Sequence, residues 1–247
     1  CVEGGPSLTQ NYYHYLDLGY KLTATAGSDF PRCGNGPSFG TDAPSWNARI
    51  GNVRFYTHVN GQFEYQPWKE NLKKGHTFVT SGPMISFSID GKLPGDEIKL
   101  SKSGKITITA KAIGNKSQIP LSKLEIIGHG KVLKHVVPNG NDQTLENMEL
   151  NFDLDVNRGI WIAARCYAGP NQVAHTTPIY ITVNNDGFQN PETLNDYLAL
   201  NEKYLHELEK ELEEANNDVE KRAWWYKDGL EERIANTRKI IESLKGK

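Results

Sequence analysis

The sequence predicts a short α/β region, then an all-β region, then an α-helical hairpin. Three observations carry this prediction. A charge-free run of small and β-branched residues over 22–28 reaches Asp29 and is followed by Pro31, as at the end of a short buried strand. From His76 the hydrophobic period becomes two, and from Asn190 it follows the four-three spacing of packed helices. The predicted domains are 1–75, 76–186 and 187–247.

The bulk composition excludes several classes of function. The 247 residues are enough for one large or two modest domains, and the net charge of -2 provides no basic field for nucleic acid. No apolar run approaches the roughly 18 to 20 residues of a membrane span. The chain begins at Cys1, which we interpret as the start of a piece that lacks an upstream portion; a lipoprotein's mature end is the alternative. The three cysteines have no CxxC spacing, which disfavours a zinc knuckle and leaves one disulfide open.

The α/β region shows the stub of a strand at residues 1–3, then a helix and a strand in close succession. A helix capped by Ser7 or Thr9 runs to about Leu18 and is stopped by Gly19, and a strand follows over residues 21–29. This order is typical of a β/α unit in a parallel sheet. In barrels of parallel strands, the chemistry lies where the strands end, so the carboxylate that closes this strand marks the candidate site.

The all-β region follows a long loop over residues 30–49, a strand over 49–59 and a helix over 65–74 that Gly75 stops. Asp90-Gly91 and Asn139-Gly140 predict tight turns between strands. About eight short strands in roughly a hundred residues predict an immunoglobulin-like β-sandwich. The predicted strands cover residues 78–80, 84–89, 106–112, 124–127, 132–137, 145–154, 160–167 and 178–183.

The last sixty residues predict two helices that pack on each other. Asn190-Pro191-Glu192 has the cap, the first-turn proline and the early acid of a helix start. Leucines then recur at coiled-coil spacing, and a second apolar set begins at Leu230. The reversal falls either at residues 216–218 or near 228–229, and the pattern does not decide between them. Such a hairpin can also mediate oligomer formation.

Two polar residues in the apolar β region are candidates for a site. Arg165 is a charge inside an apolar strand and needs a partner, either a buried carboxylate or an anionic substrate. His175 precedes the last strand, where it either locks a loop through hydrogen bonds or lines a barrel mouth. No two of the seven histidines have a compact metal-binding spacing. His129 and His135 flank a predicted hairpin, and we expect both to be exposed.

Six blocks of sequence, in one order, resemble the CehA/McbA-type metallohydrolases of the PHP-domain family. The blocks are residues 12–31, 54–59, 75–83, 90–96, 161–166 and 174–180. The resemblance implies the closing part of a distorted β/α barrel that holds divalent zinc, manganese or iron, with Asp29 as a metal ligand. It also implies hydrolysis of an amide, ester, carbamate or phosphoester bond in a small-molecule substrate by a metal-activated water. A secreted or periplasmic location is implied as well.

The chain departs from this family at the final metal motif, which resembles Asp-x-His. Here Asp29 is followed by Phe30 and Pro31, and proline cannot ligate. The site has fewer ligands, or Cys33 substitutes, or metal binding has been lost. The His-x-His motif and middle ligands of the family have no counterpart in this sequence.

Two functional hypotheses follow. The first is a fragment of a metal-dependent hydrolase whose partner is the missing N-terminal part of the barrel. The second is a non-catalytic extracellular binding or assembly module. Whether the chain is an enzyme stays open, its catalytic residues are unknown, and we expect these residues alone to be inactive.

Overall fold

The computed structural model describes residues 6–27, 51, 53–138, 146–169, 171–217 and 224–245. Its helices are α1 Pro6–Asp17, α2 Tyr65–Lys74, α3 Leu194–Asn217 and α4 Trp224–Lys245. Its strands are β1 Arg54–Thr57, β2 Thr77–Thr80, β3 Met84–Ile89, β4 Glu97–Leu100, β5 Gly104–Ile113, β6 Leu121–Gly128, β7 Lys131–Val136, β8 Asn147–Val156, β9 Ile160–Ala168, β10 Gln172–Thr176 and β11 Ile179–Val183. The chain divides into two compact units, Cys1–Gln189 and Asn190–Lys247.

The first unit contains two β-sheets. The large sheet has the order β1-β2-β10-β9-β11-β4, and β6 joins it through β9 and carries β7 on its other edge. The small sheet has the order β3-β5-β8. Every neighbouring pair of named strands is antiparallel except β11 with β4, which is parallel.

The two sheets face each other across one hydrophobic core. Ile106 and Ile108 of the small sheet lie in the same buried cluster as Ile162 and Ala164 of the large sheet. Alternate residues of one strand point to opposite faces of a sheet, and Trp161 accordingly lies in a second cluster on the other side of β9. The predicted β-sandwich is therefore confirmed, and the second side of the large sheet is called the outer face below.

Several predicted elements agree with the structure residue by residue. β3 has the predicted bounds, and α2 ends as predicted at Gly75, whose φ of 84° is left-handed. Asp90 and Gly91 both have positive φ, as a tight hairpin turn requires. The predicted strand stub at residues 1–3, the predicted loop over residues 30–49 and the predictions for residues 50, 52, 139, 140 and 145 fall outside the described residues.

Two strands were not predicted. β4 has the sequence Glu-Ile-Lys-Leu, in which two of the four side chains are charged. Charged side chains are common in a strand at the end of a sheet, which is where β4 lies. β10 has the sequence Gln-Val-Ala-His-Thr, whose polar side chains are typical of a loop, yet it lies between β2 and β9. Hydrophobic periodicity does not detect strands of this kind.

The predicted strand over residues 21–29 is wrong for residues 21–27, which belong to no ladder. The chain there lies on the outer face of the large sheet, and side-chain hydroxyls rather than a neighbouring strand bond its backbone. Ser28 and Asp29 lie outside the described residues. The predicted caps are also wrong, because α1 already begins at Pro6 and so includes Ser7 and Thr9.

The second unit is the predicted helical pair. α3 begins at Leu194, four residues after the predicted start at Asn190. The backbone N–H of Leu194 donates to the Asn190 carbonyl. α3 ends at Asn217 and α4 begins at Trp224, so Gly229 lies inside α4 and a reversal near it is excluded.

The seam of the pair is apolar. Leu208 of α3 packs against Leu230 and Ile234 of α4. The Nζ atom of Lys245 lies 2.8 Å from Oε1 of Glu202, which joins the end of α4 to the first half of α3 in an antiparallel pair. Among the described residues, no helix combines the length and the apolar character needed to cross a membrane.

Candidate functional site

The candidate site lies on the outer face of the large sheet, where three neighbouring strands bring polar side chains into one row. Glu125 of β6 is opposite Arg165 of β9, and Arg165 is opposite His175 of β10. Helix α1 adds Tyr13, whose hydroxyl contacts both Arg165 and His175. We call these four residues the outer-face network.

His175 is buried and hydrogen-bonded through both ring nitrogens. Its Nδ1 lies 2.7 Å from the Thr176 carbonyl, so Nδ1 carries the proton of the neutral ring. Its Nε2 then accepts from the Tyr13 hydroxyl, also at 2.7 Å. Burial lowers the pKa of His175 to about 4 and raises the pKa of Tyr13, so at neutral pH a neutral imidazole accepts from a protonated phenol.

Arg165 forms an ion pair with Glu125. Its Nη2 and Nε lie 2.7 and 3.0 Å from Oε2 of Glu125, and Lys123 Nζ lies 2.7 Å from the other carboxylate oxygen. Burial alone would raise the pKa of Glu125, but hydrogen bonds from Lys123 and Arg165 outweigh it and lower the pKa. The guanidinium also lies over the Tyr167 ring, 5.3 Å from its centroid. The charge of Arg165 is thus compensated within the chain.

Side-chain hydroxyls hold the segment after α1 on the outer face. The backbone N–H of Ala24 donates to Thr177 Oγ1 at 2.9 Å, and Thr77 Oγ1 donates to the Ala24 carbonyl at 2.8 Å. The two threonine oxygens are 2.8 Å apart, so the Thr177 hydroxyl donates to Thr77. The backbone N–H of Leu22 donates to the Tyr180 hydroxyl at 3.0 Å. These bonds satisfy buried backbone groups as a β-ladder would.

The predicted metal site is not among the residues that the structure describes. Asp29 and the alternative ligand Cys33 lie outside them, and Gly27 is the last described residue before Asp29. The described part of the chain contains no group of three or more histidine, cysteine, aspartate or glutamate residues that could hold a metal ion. Cys166 is a free, buried thiol. The described residues alone do not supply a metal donor set.

His129 corrects an expectation, because it is buried rather than exposed. It forms the two-residue turn between β6 and β7 with Gly130, and both residues have positive φ. The turn directs its Nε2 to the Phe188 carbonyl at 3.0 Å, and its ring lies 6.1 Å from that of Trp161. His135 on β7 is exposed, as predicted.

Sequence reasoning missed Tyr13 and Glu125. Glu125 carried a detectable signal, because it interrupts the apolar residues around it in the same way that Arg165 interrupts its own strand. Tyr13 carried none beyond its place on an amphipathic helix.

Comparisons with known proteins do not identify the chain. No protein-family model matches it, and no curated protein does. Among solved structures, it is similar to the fibronectin(III)-like modules of CbhA from Clostridium thermocellum, with 16% identity over 42% of this chain and 99% of that chain and a TM-score of 0.25. A superoxide reductase (neelaredoxin) from Ignicoccus hospitalis matches with 14% identity over 42% of this chain and 81% of that chain, at a TM-score of 0.27.

The CARDB domain of a Pyrococcus furiosus protein, solved in complex with di-metal ions, matches with 19% identity over 41% of this chain and 89% of that chain. Its TM-score is 0.26. All three scores are below 0.5, so these likenesses carry no argument about function.

Proposed function

We propose that the first unit is a supporting module. By this we mean that the sandwich holds the residues that follow α1, around Leu22 and Ala24, in one position on its outer face. The observation that carries this proposal is the Tyr13 hydroxyl, which accepts from Arg165 and donates to His175 and so joins α1 to β9 and β10. The threonine and tyrosine hydroxyls then fix the next residues. Residues 22–24 are therefore held in a defined place on the sandwich.

The resemblance to PHP-domain metallohydrolases suggests what such a module would support. In that proposal the first unit combines the closing part of a β/α barrel with an immunoglobulin-like sandwich, and Asp29 is one ligand of a divalent zinc, manganese or iron ion. A carboxylate suits each of these metals. The metal, when bound, would activate a water for hydrolysis of an amide, ester, carbamate or phosphoester bond. The other ligands would come from the N-terminal part of the barrel.

A second candidate is a non-catalytic, extracellular binding or assembly module. One observation favours assembly: Leu200 and Tyr204 lie one turn apart on α3 and are 50% and 47% exposed. A second copy of the chain could cover this apolar pair. Sedimentation of the chain and of Leu200→Lys tests this candidate, which requires an oligomer that the substitution dissociates.

Metal content tests the role of Asp29. The chain, with and without upstream sequence, is equilibrated with zinc, manganese or iron, dialysed, and analysed for bound metal and for hydrolysis of model esters and phosphodiesters. The hydrolase proposal expects metal and turnover in the extended form and their loss in Asp29→Asn. Asp186→Asn, which changes an exposed aspartate, is the control. Full metal content and turnover in Asp29→Asn would exclude Asp29 as a ligand.

Amide hydrogen exchange tests whether the sandwich holds the residues after α1 in place. Tyr13→Phe removes the hydroxyl that joins α1 to the sheet, so we expect the Leu22 and Ala24 amides to exchange roughly fivefold faster, the equivalent of one hydrogen bond. Tyr15→Phe is the matched control, because Tyr15 is on the same helix and 49% exposed. Unchanged exchange in Tyr13→Phe contradicts the supporting role.

A further inference from the structure

A groove of about 310 Å³ opens along one side of the sandwich. One of its walls is formed by β1 and β2 at the end of the large sheet, and the other by β3 at the edge of the small sheet. Leu93 and Pro94, between β3 and β4, also line it. β1 and β3 each pair with one named strand only, so no named strand closes this side.

The lining is mostly apolar, with an aromatic wall. The rings of Tyr56 and Phe78 stack with centroids 5.1 Å apart and planes inclined by 16°. Ile85 and Phe87 line the groove and also belong to the hydrophobic core. Tyr56 remains 39% exposed beside this surface. An open aromatic surface that continues into the core is typical of sites for small apolar ligands.

His76 lines the groove, and one nitrogen of its ring is unsatisfied. Its Nε2 lies 3.1 Å from Oδ1 of Asp96, and the other Asp96 oxygen accepts from the backbone N–H of Leu93 at 2.9 Å. In the neutral ring Nε2 therefore carries the proton, and Nδ1 is an acceptor. Nδ1 is buried and has no hydrogen-bond partner among the described residues. A buried acceptor without a donor is uncommon in folded proteins, and a ligand that supplies a donor would satisfy it once the side chains that cover it move aside.

We propose that this groove binds a small aromatic molecule that carries a hydroxyl group, with its ring against Tyr56 and Phe78 and its hydroxyl donating to His76 Nδ1. The volume agrees with such a ligand, since a cavity of roughly 150 Å³ already holds benzene. A groove of twice that size accommodates one ring and a short substituent. The proposal is independent of the supporting function, whose tests involve other residues.

Two probes of nearly the same shape test it on the unchanged protein. p-Cresol has the ring and the hydroxyl, whereas 4-methylanisole has the ring with that hydroxyl methylated and cannot donate. In titrations of the ¹⁵N-labelled chain, p-cresol should bind about fivefold to tenfold more tightly than 4-methylanisole. The NMR chemical-shift changes should be centred on the amides of His76, Phe78 and Met84. Equal affinities, no binding of p-cresol, or shifts centred elsewhere would overturn the proposal.

Three variants assign the preference to the groove. His76→Phe keeps a ring but removes Nδ1, so p-cresol should bind no better than 4-methylanisole. His135→Ala, at an exposed histidine on β7, should keep the preference. Met84→Trp, at a lining residue that is 37% exposed, should fill the groove and abolish binding of both probes. A folded His76→Phe that still prefers p-cresol would refute the role of His76.

Discussion

Acidification should destabilise the first unit through His175. The pKa of this imidazole falls from an ordinary 6.5 to about 4, mainly because burial disfavours the charged ring. Between these two values the unfolded chain binds a proton that the folded chain does not, so the free energy of unfolding rises with pH. The contribution is fully present above about pH 6.5 and is lost as the pH falls towards 4.

The size of the effect follows from the shift. The difference between a pKa of 6.5 and one of about 4 corresponds to about 3 kcal/mol. This is a large fraction of the about 5 to 15 kcal/mol by which domains are stable. Glu125 acts in the same direction at lower pH, because its pKa is also lowered. A matched variant is therefore needed to isolate the contribution of His175.

Urea unfolding at a series of pH values, followed by the amide signals of β9 and β10, measures the effect in the first unit itself. His175→Gln retains an amide oxygen that can accept from Tyr13 but does not titrate. Between neutral pH and pH 4 the unchanged protein should lose about 3 kcal/mol more free energy of unfolding than His175→Gln does. The contribution of Glu125 is common to both proteins and cancels in this comparison. Equal slopes, or a His175 ring signal that titrates near 6.5, would refute the argument.

Two further predictions concern a glycine and a thiol. Gly95→Ala should lower the free energy of unfolding by more than about 3 kcal/mol, because φ is +90° and the new Cβ would lie 2.0 Å from the Lys74 carbonyl oxygen. Gly91→Ala should lower it by about 1 to 2 kcal/mol only, because Gly91 has a φ of +76° but open space around the new Cβ. Equal losses for the two variants in urea unfolding would contradict this prediction. Burial raises the pKa of Cys166 to about 12, so with the other two cysteines replaced by serine the folded chain should react with a thiol reagent only after unfolding.

The parts of the fold that the sequence predicted are those in which local pattern and tertiary structure agree. β3 alternates between buried and exposed residues, and α2 ends at a glycine whose left-handed backbone costs little. β10 could not be predicted in this way, because its polar side chains bond to other residues of the sandwich. The ring of His175 bonds to Tyr13, and the Thr176 hydroxyl accepts from the Ala164 amide.

The strand predicted over residues 21–29 shows which part of such a pattern is reliable. Small, β-branched, uncharged residues indicate a buried strand, and Ala24 and Ala26 are buried although residues 21–27 form no strand. The pattern does not state which groups satisfy that backbone. In this chain Thr77 and Thr177 supply them, and these residues lie 53 and 153 positions away in the sequence.

The candidate site follows the same logic. A charge inside an apolar strand requires a partner, and in the sequence both Arg165 and Glu125 are such charges. Only Arg165 was predicted to need one. Their pairing depends on the register of β6 against β9, and a shift of one residue would turn Glu125 towards the core. The sequence therefore states the need of each charge, and the register decides which charge meets it. Tyr13 then completes the network from helix α1, whose Leu16 packs in one cluster with Trp161 of β9.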